Sequence, residues 1–181
     1  MVLMTALLLA LSCAPKAGVV QAPSPMDVAV VAAMEPLDDP QVQPVPDAVM
    51  DALARVLADR KLTLQAVDES TWEDAFSRGR TARFRTGHVA LGTDAPLVLV
   101  VSTFARYGSQ LNGRYRWTVQ VQASLAPAAT PEDAVVSEFS VPVFLQFHHQ
   151  RDADAVEAAI PVIERQVGHL LDQVLGGMEA P

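Results

Sequence analysis

The chain has a single cysteine, Cys13, in 181 residues, which excludes a disulfide framework within one chain and a cysteine-based structural zinc site. Positive charge is scarce as well: 13 basic residues against 21 acidic ones leave a net charge of −8. That balance argues against a dedicated nucleic-acid-binding protein. Long hydrophobic runs are missing. The apolar stretch at residues 2–11, VLMTALLLAL, would rise only about 15 Å as a helix, half of a hydrocarbon core of about 30 Å. A polytopic membrane protein is therefore excluded, and so are a wholly disordered and a collagen-like chain. What remains is a chain that is 50% hydrophobic and 19% charged, long enough for one domain with a packed core.

Residues 2–11 read as the hydrophobic core of a secretory signal, because the stretch that follows, APKAGVVQAPSPMD, is a Pro/Ala-rich linker without periodicity. The run Ala10-Leu11-Ser12-Cys13 resembles the lipobox of bacterial lipoproteins. Ala10 stands where leucine is usual, and no Lys or Arg precedes the apolar run. The resemblance implies that Cys13 is lipidated and becomes the new amino terminus, and it gives the only cysteine a role. Ala14, rather than Asp, follows that cysteine, which in this family favours the outer membrane. The expected organisation is a signal peptide at 1–12, lipidated Cys13 with a linker to residue 27, and a single domain over 28–181.

Within that domain, residues 28–34 (VAVVAAM) read as a buried strand. Asp47 is a suitable N-cap for a helix to about Arg60, with Val49, Leu53, Val56 and Leu57 on one face. Residues 62–67 form a short strand. Ser70 and Glu73 have capping-box spacing for a second helix bearing Trp72 and Phe76, which Gly79 would break. A further helical stretch ends near Gly92. Residues 97–106 begin as a run apolar on both faces, hence a central strand. Asn112-Gly113 is a type I′ hairpin signal, and the return strand 114–125 alternates, with Tyr115, Trp117, Val119, Val121, Ala123 and Leu125 facing inward. A third strand, 135–147, turns Phe139, Val141, Val143, Leu145 and Phe147 inward, and Pro142 marks it as an edge or a bulge. A last helical segment, about 152–175, is expected to kink or break at Pro161 and to end at Gly176-Gly177.

The order β-α-β-α-β-β-β-α predicts a mixed α/β fold: a five-stranded sheet whose first three strands are parallel neighbours and whose last three form a meander, with helices packed on it. This order, and the stretch GHVALGTDAPLVLVVSTF, resembles a group of envelope domains. The group includes the penicillin-binding-protein activator lipoproteins, the curli secretion lipoprotein and the amino-terminal domain of the Tol-system β-propeller protein. Its helix–turn–strand motif corresponds here to Gly92-Thr93-Asp94-Ala95, with the acidic and small residues reversed. The resemblance spans residues 28–175 as a pattern and carries over no functional residue. It implies a binding or assembly role, since those domains are not enzymes.

The residues themselves offer no catalytic constellation. No HExxH, GxSxG, Walker or dinucleotide fingerprint is present. His148 and His149 are adjacent at a strand end, where successive side chains diverge, so they are badly placed to share a metal. His88 and His169 stand apart. No metal and no cofactor is expected.

Charge is segregated instead. Arg78, Arg80, Arg83, Arg85, Arg106, Arg114 and Arg116 lie in a segment whose one acid is Asp94. Two readings stand open: the arginines pair with acidic helices of their own domain, or they form a basic face for an anionic partner. Arg83, Arg85, Arg106, Arg114 and Arg116 are the candidate binding residues. In strict hairpin register Arg106 would fall on the apolar face beside Trp117 and Val119. It would then stack on the Trp117 ring, or a bulge at Gly108 would turn it outward to join Arg114 and Arg116 while Tyr107 joins Trp117; the bulge is the reading we adopt.

The function expected is that of a non-enzymatic lipoprotein on the periplasmic face of the outer membrane, binding a protein partner in envelope assembly. The alternative is a module binding an anionic envelope polymer, peptidoglycan or lipopolysaccharide, through the Arg-rich face. A small hydrolase assembled from distant residues is a third reading.

Overall fold

Strand β1 (Met26–Met34) is the spine of the fold, because both of its faces are apolar: Val28, Val30 and Met34 bury on one side, Ala29, Val31 and Ala33 on the other. The computed structural model describes residues 26–35, 41–78 and 81–178. The expected signal peptide, Cys13, nearly all of the linker, Gly79 and Arg80 lie outside those residues. β1 itself starts at Met26, two residues ahead of the expected boundary.

Strand β3 (Leu62–Ala66) pairs parallel with one edge of β1, and β4 (Leu97–Leu111) pairs parallel with the other. The chain moves to one side of β1 and then returns past it, so right-handed crossovers require the two connections to lie on opposite faces. They do. Helix α1 (Asp47–Ala58) packs on one face with Val49, Leu53, Val56 and Leu57, while α2 (Glu69–Arg78) and α3 (Ala82–Leu91) contribute Ala75, Phe76 and Val89 to the core on the other. Strands β5 (Arg114–Pro127) and β6 (Val135–Leu145) complete the antiparallel meander, giving the mixed α/β architecture expected. The sixth strand is β2 (Gln43–Pro44), two residues that pair with the end of β1 and are too short to have a sequence pattern.

The carboxy-terminal helical segment is broken ahead of Pro161, as expected. Helix α4 (Asp152–Ala158) is followed by α5 (Ile160–Met178), and both pack on the α1 face of the sheet. Arg60 grips Asp172 of α5 with two nitrogens, at 2.7 and 3.0 Å, and Arg55 reaches Glu164 at 2.8 Å. The hydrogen bond from Arg60 holds the Asp172 carboxyl below its ordinary range. A Cβ on Gly168 would come within 2.9 Å of the Arg60 guanidinium, so a larger residue there would make the end of the Arg60 side chain shift.

Four expectations are corrected. α1 begins at Asp47 with Pro46 ahead of it, so Asp47 supplies charge to the first turn and not a cap. α2 begins at Glu69, and the Asp68 carbonyl, in place of a Ser70 side chain, accepts from Thr71 N at 3.0 Å and Trp72 N at 3.3 Å. Gly176-Gly177 does not end α5, which runs on to Met178; glycine costs about 1 kcal/mol in a helix, and that weakens one without stopping it. Phe147 is 56% exposed instead of inward. The Gln150 side chain accepts from Gln146 N and Phe147 N at 3.0 and 2.9 Å, and this ends the strand two residues early.

The hairpin turn is as read. Asn112 and Gly113 have φ values of 49° and 76°, the pair of positive angles of a type I′ turn. A Cβ at Gly113 would meet nothing within 4 Å, so any penalty there is purely backbone. Gly113→Ala is expected to cost about 1 kcal/mol, seen as a lower urea midpoint with an unchanged slope.

Candidate binding face

The β4–β5 hairpin outgrows the sheet that supports it. β1 makes its last pair with β4 at Met34–Thr103, so among the described residues β4 from Phe104 to Leu111 continues with β5 alone beside it. On the side of the sheet that carries α2 and α3, α3 covers only the near end. There the Thr86 hydroxyl donates to the Ala82 carbonyl at 3.0 Å and is hydrogen-bonded to Ser124, which is fully buried. Ser124 was expected on the wet face; α3 is what covers it.

Beyond that contact no described helix covers the face across three strands. The ladder aligns Ser102, Gln122 and Glu138, then Phe104, Gln120 and Ser140, then Arg106, Thr118 and Pro142, then Ser109, Arg116 and Phe144. Leu111 and Arg114 close the far end. The near end is a cleft of ≈ 600 Å³ with Glu35, Arg85, Ser102, Phe104, Gln122 and Glu138 in its walls. Gln122 donates to the Glu138 carboxylate.

The bulge is present and decides where the charge goes. The register shifts between Tyr107 and Ser109, so Tyr107 pairs with Trp117 and Arg106 with Thr118, leaving Gly108 as the extra residue. Tyr107 meets Trp117 edge-on at 5.7 Å and Tyr115 at 6.4 Å on the core side. Arg106 turns to the other side and shares one exposed face with Arg114 and Arg116. No ion pair engages these three among the described residues. Leu111 and Phe144, 53% and 47% exposed, stand among them.

Arg85 does not belong to that group. It is buried, its Nη1 lies 2.7 Å from the Glu35 carboxylate, and its guanidinium sits over the Phe76 ring at 4.3 Å. Arg83 is exposed, but on α3 rather than the hairpin. Of the five candidate residues, then, the ladder brings Arg106, Arg114 and Arg116 together and leaves Arg83 and Arg85 on another element. Phe104 and Phe144 were not foreseen. Their signal was register: once Trp117 is placed inward, its neighbour Arg116 and the residue opposite, Phe144, must face out.

His148 and His149 are exposed with ring centroids 5.8 Å apart, and no group of three potential ligands for a metal occurs among the described residues. No described helix is long and apolar enough to cross a membrane.

The Gly92-Thr93-Asp94-Ala95 turn joins α3 to β4, with Ala95 N donating to Thr93 Oγ1 at 3.1 Å. Gly92 has an ordinary φ of −103°. Glycine is needed because a Cβ would lie 2.8 Å from the Thr71 side chain of α2.

No protein-family model matches the chain, and no curated protein does. Solved structures of similar outline exist. Protein XCC0632 from Xanthomonas campestris is 14% identical with a TM-score of 0.45, over 79% of this chain and 81% of that one. Lipoprotein GNA1162 from Neisseria meningitidis is 15% identical with a TM-score of 0.41, over 80% and 99%. The LpoB C-terminal domain from Salmonella enterica is 16% identical with a TM-score of 0.38, over 65% and 83%. At such identities and scores, a shared outline transfers no function to this chain.

Proposed function

We propose that this chain is a non-enzymatic lipoprotein, anchored through Cys13 on the periplasmic face of the outer membrane, that binds a protein partner in envelope assembly or maintenance through the end of the β4–β5 hairpin. The observation that carries the binding face is Arg106, Arg114 and Arg116, exposed together on a sheet face that no described helix covers, and flanked by exposed Leu111 and Phe144. Interfaces between proteins are enriched in arginine and aromatic residues and depleted of Lys, Glu and Asp, and the hairpin end of this face, from Arg106 to Leu111 with Arg114, Arg116 and Phe144, has that composition.

Arg114→Asp with Arg116→Asp is the test. Neither side chain supports the core, so the melting temperature is expected to stay within a few degrees. Capture of the partner from detergent-solubilised envelopes is expected to fall at least ten-fold. Unfolding of the variant, or undiminished capture, would make the arginines structural. Sedimentation with purified peptidoglycan, lost in the same variant, would favour the polymer instead.

The anchor rests on the ALSC run and is tested separately. Several acyl chains on one cysteine, at ~0.8 kcal/mol per buried CH₂, hold a protein stably to a bilayer. Mass spectrometry of the detergent-extracted protein is expected to show an acylated amino-terminal Cys13, and Cys13→Ser is expected to release the protein from the membrane fraction. An intact Met1 terminus with a free thiol at Cys13 would end the lipoprotein reading.

A further inference from the structure

One face of the sheet carries a layer of helices, α1, α4 and α5, while the other carries α2 and α3 over β1 and the near ends of β4 and β5, and no described helix over the hairpin beyond Ser102 and Gln122. We propose that an acidic amphipathic helix of the partner completes that layer, lying along β4–β6 with its carboxylates on Arg106, Arg114 and Arg116. This rests on the reading above that the partner is a protein.

The dimensions fit. Three strands are spaced by about 4.8 Å each, so the face is about as wide as one helix of about 10–12 Å diameter. From Ser102 to Leu111 it runs roughly 30 Å at about 3.3 Å per residue, the length of about 20 helical residues.

The charges fit in the same way. Arg114 and Arg116 alternate along one face of β5, which separates them by roughly 6.7 Å. Carboxylates at i and i+4 of a helix rise by about 6 Å, so a helix along the strand brings one acid to each arginine. Arg106 lies in the next row, opposite Thr118, within reach of a third acid one turn further on. Phe104, Phe144 and Leu111 take the apolar stripe of such a helix. Of the two acids at the near end, Glu35 has its charge offset by Arg85, while Glu138, hydrogen-bonded to the neutral Gln122 amide, stays charged and favours a helix whose acids lie at the arginine end. A peptide added edgewise as a strand would leave this face empty, which is why a helix is inferred.

The test places a photo-crosslinking benzoylphenylalanine in the full chain, in its native cells, at Thr118 in the middle of the face and, separately, at Leu111 at the hairpin end. The Thr118 adduct is expected to map by mass spectrometry to a partner peptide with Asp or Glu at i, i+4 spacing and an apolar stripe between them. Its yield is expected to drop at least ten-fold with Arg114→Asp and Arg116→Asp. A Thr118 adduct to a peptide without that spacing, to a glycan, to lipid or to a second copy of this chain overturns the proposal. A protein adduct at Leu111 with none at Thr118 overturns it while leaving the protein-binding reading intact; no protein adduct at either position overturns both. Should the Thr118 variant fail to fold, Gln120, exposed on the same face, is read by the same criteria.

Discussion

Leu99→Ala is expected to destabilise the domain by about 3 kcal/mol, within the roughly 2–5 kcal/mol that such truncations cost in cores that relax incompletely. Leu99 is fully buried at the middle of the sheet, with β1 on one side through Val30 and β5 on the other through Leu125. Both neighbours are fixed by ladder hydrogen bonds, so the backbone cannot close on the void. In a domain of this size, whose whole stability is about 5–15 kcal/mol, the melting temperature is expected to fall by about 10 °C. The matched control is Leu111→Ala on the same strand. Leu111 is 53% exposed beyond the sheet, and its removal is expected to change stability by no more than about 0.5 kcal/mol. Equal losses at the two positions would mean that the hairpin end is packed in solution.

Arg85→Ala is the second large effect, about 2–3 kcal/mol. Three terms act together: the pair with Glu35, the contact with the Phe76 ring and the volume of a buried side chain. Truncating one member of a fully buried pair costs roughly 3–5 kcal/mol because the other charge is stranded. Here the Glu35 side chain is 39% exposed and recovers water, which puts the cost below that range. Arg83→Ala, two residues away on the exposed side of α3, is expected to be neutral within about 0.5 kcal/mol. Chemical denaturation of the two variants side by side measures the difference. A neutral Arg85→Ala would mean that the pair with Glu35 and the contact with Phe76 add no net stability.

That contrast marks how far the sequence could be read. The alternation of Tyr115 through Leu125, the double-faced run at 97–101 and the Asn112-Gly113 pair each carry one strong local constraint, and the sheet follows from them. Gly108 was legible too, because strict register would have buried Arg106. Arg85 was not separable from Arg83 by any such rule: its fate depends on Glu35, fifty positions earlier, and on Phe76 in another helix. Phe147 failed for a related reason. Its alternation was correct in phase, but the Gln150 side chain turned the chain before the pattern ended. Long-range pairing and side-chain capture of backbone groups leave no periodic trace.

The bulge at Gly108 has a consequence for how this hairpin tolerates change in length. Losing one residue from a strand ordinarily turns every side chain beyond the gap to the opposite face. At Gly108 the extra residue sits between two segments already in phase with their partners, Tyr107 with Trp117 and Ser109 with Arg116. Deleting it leaves Arg106, Ser109 and Leu111 on one face and Tyr107 and Gln110 on the other. A residue can thus be lost at Gly108 without turning the outer hairpin over, and Tyr115 beyond it keeps its place against the core.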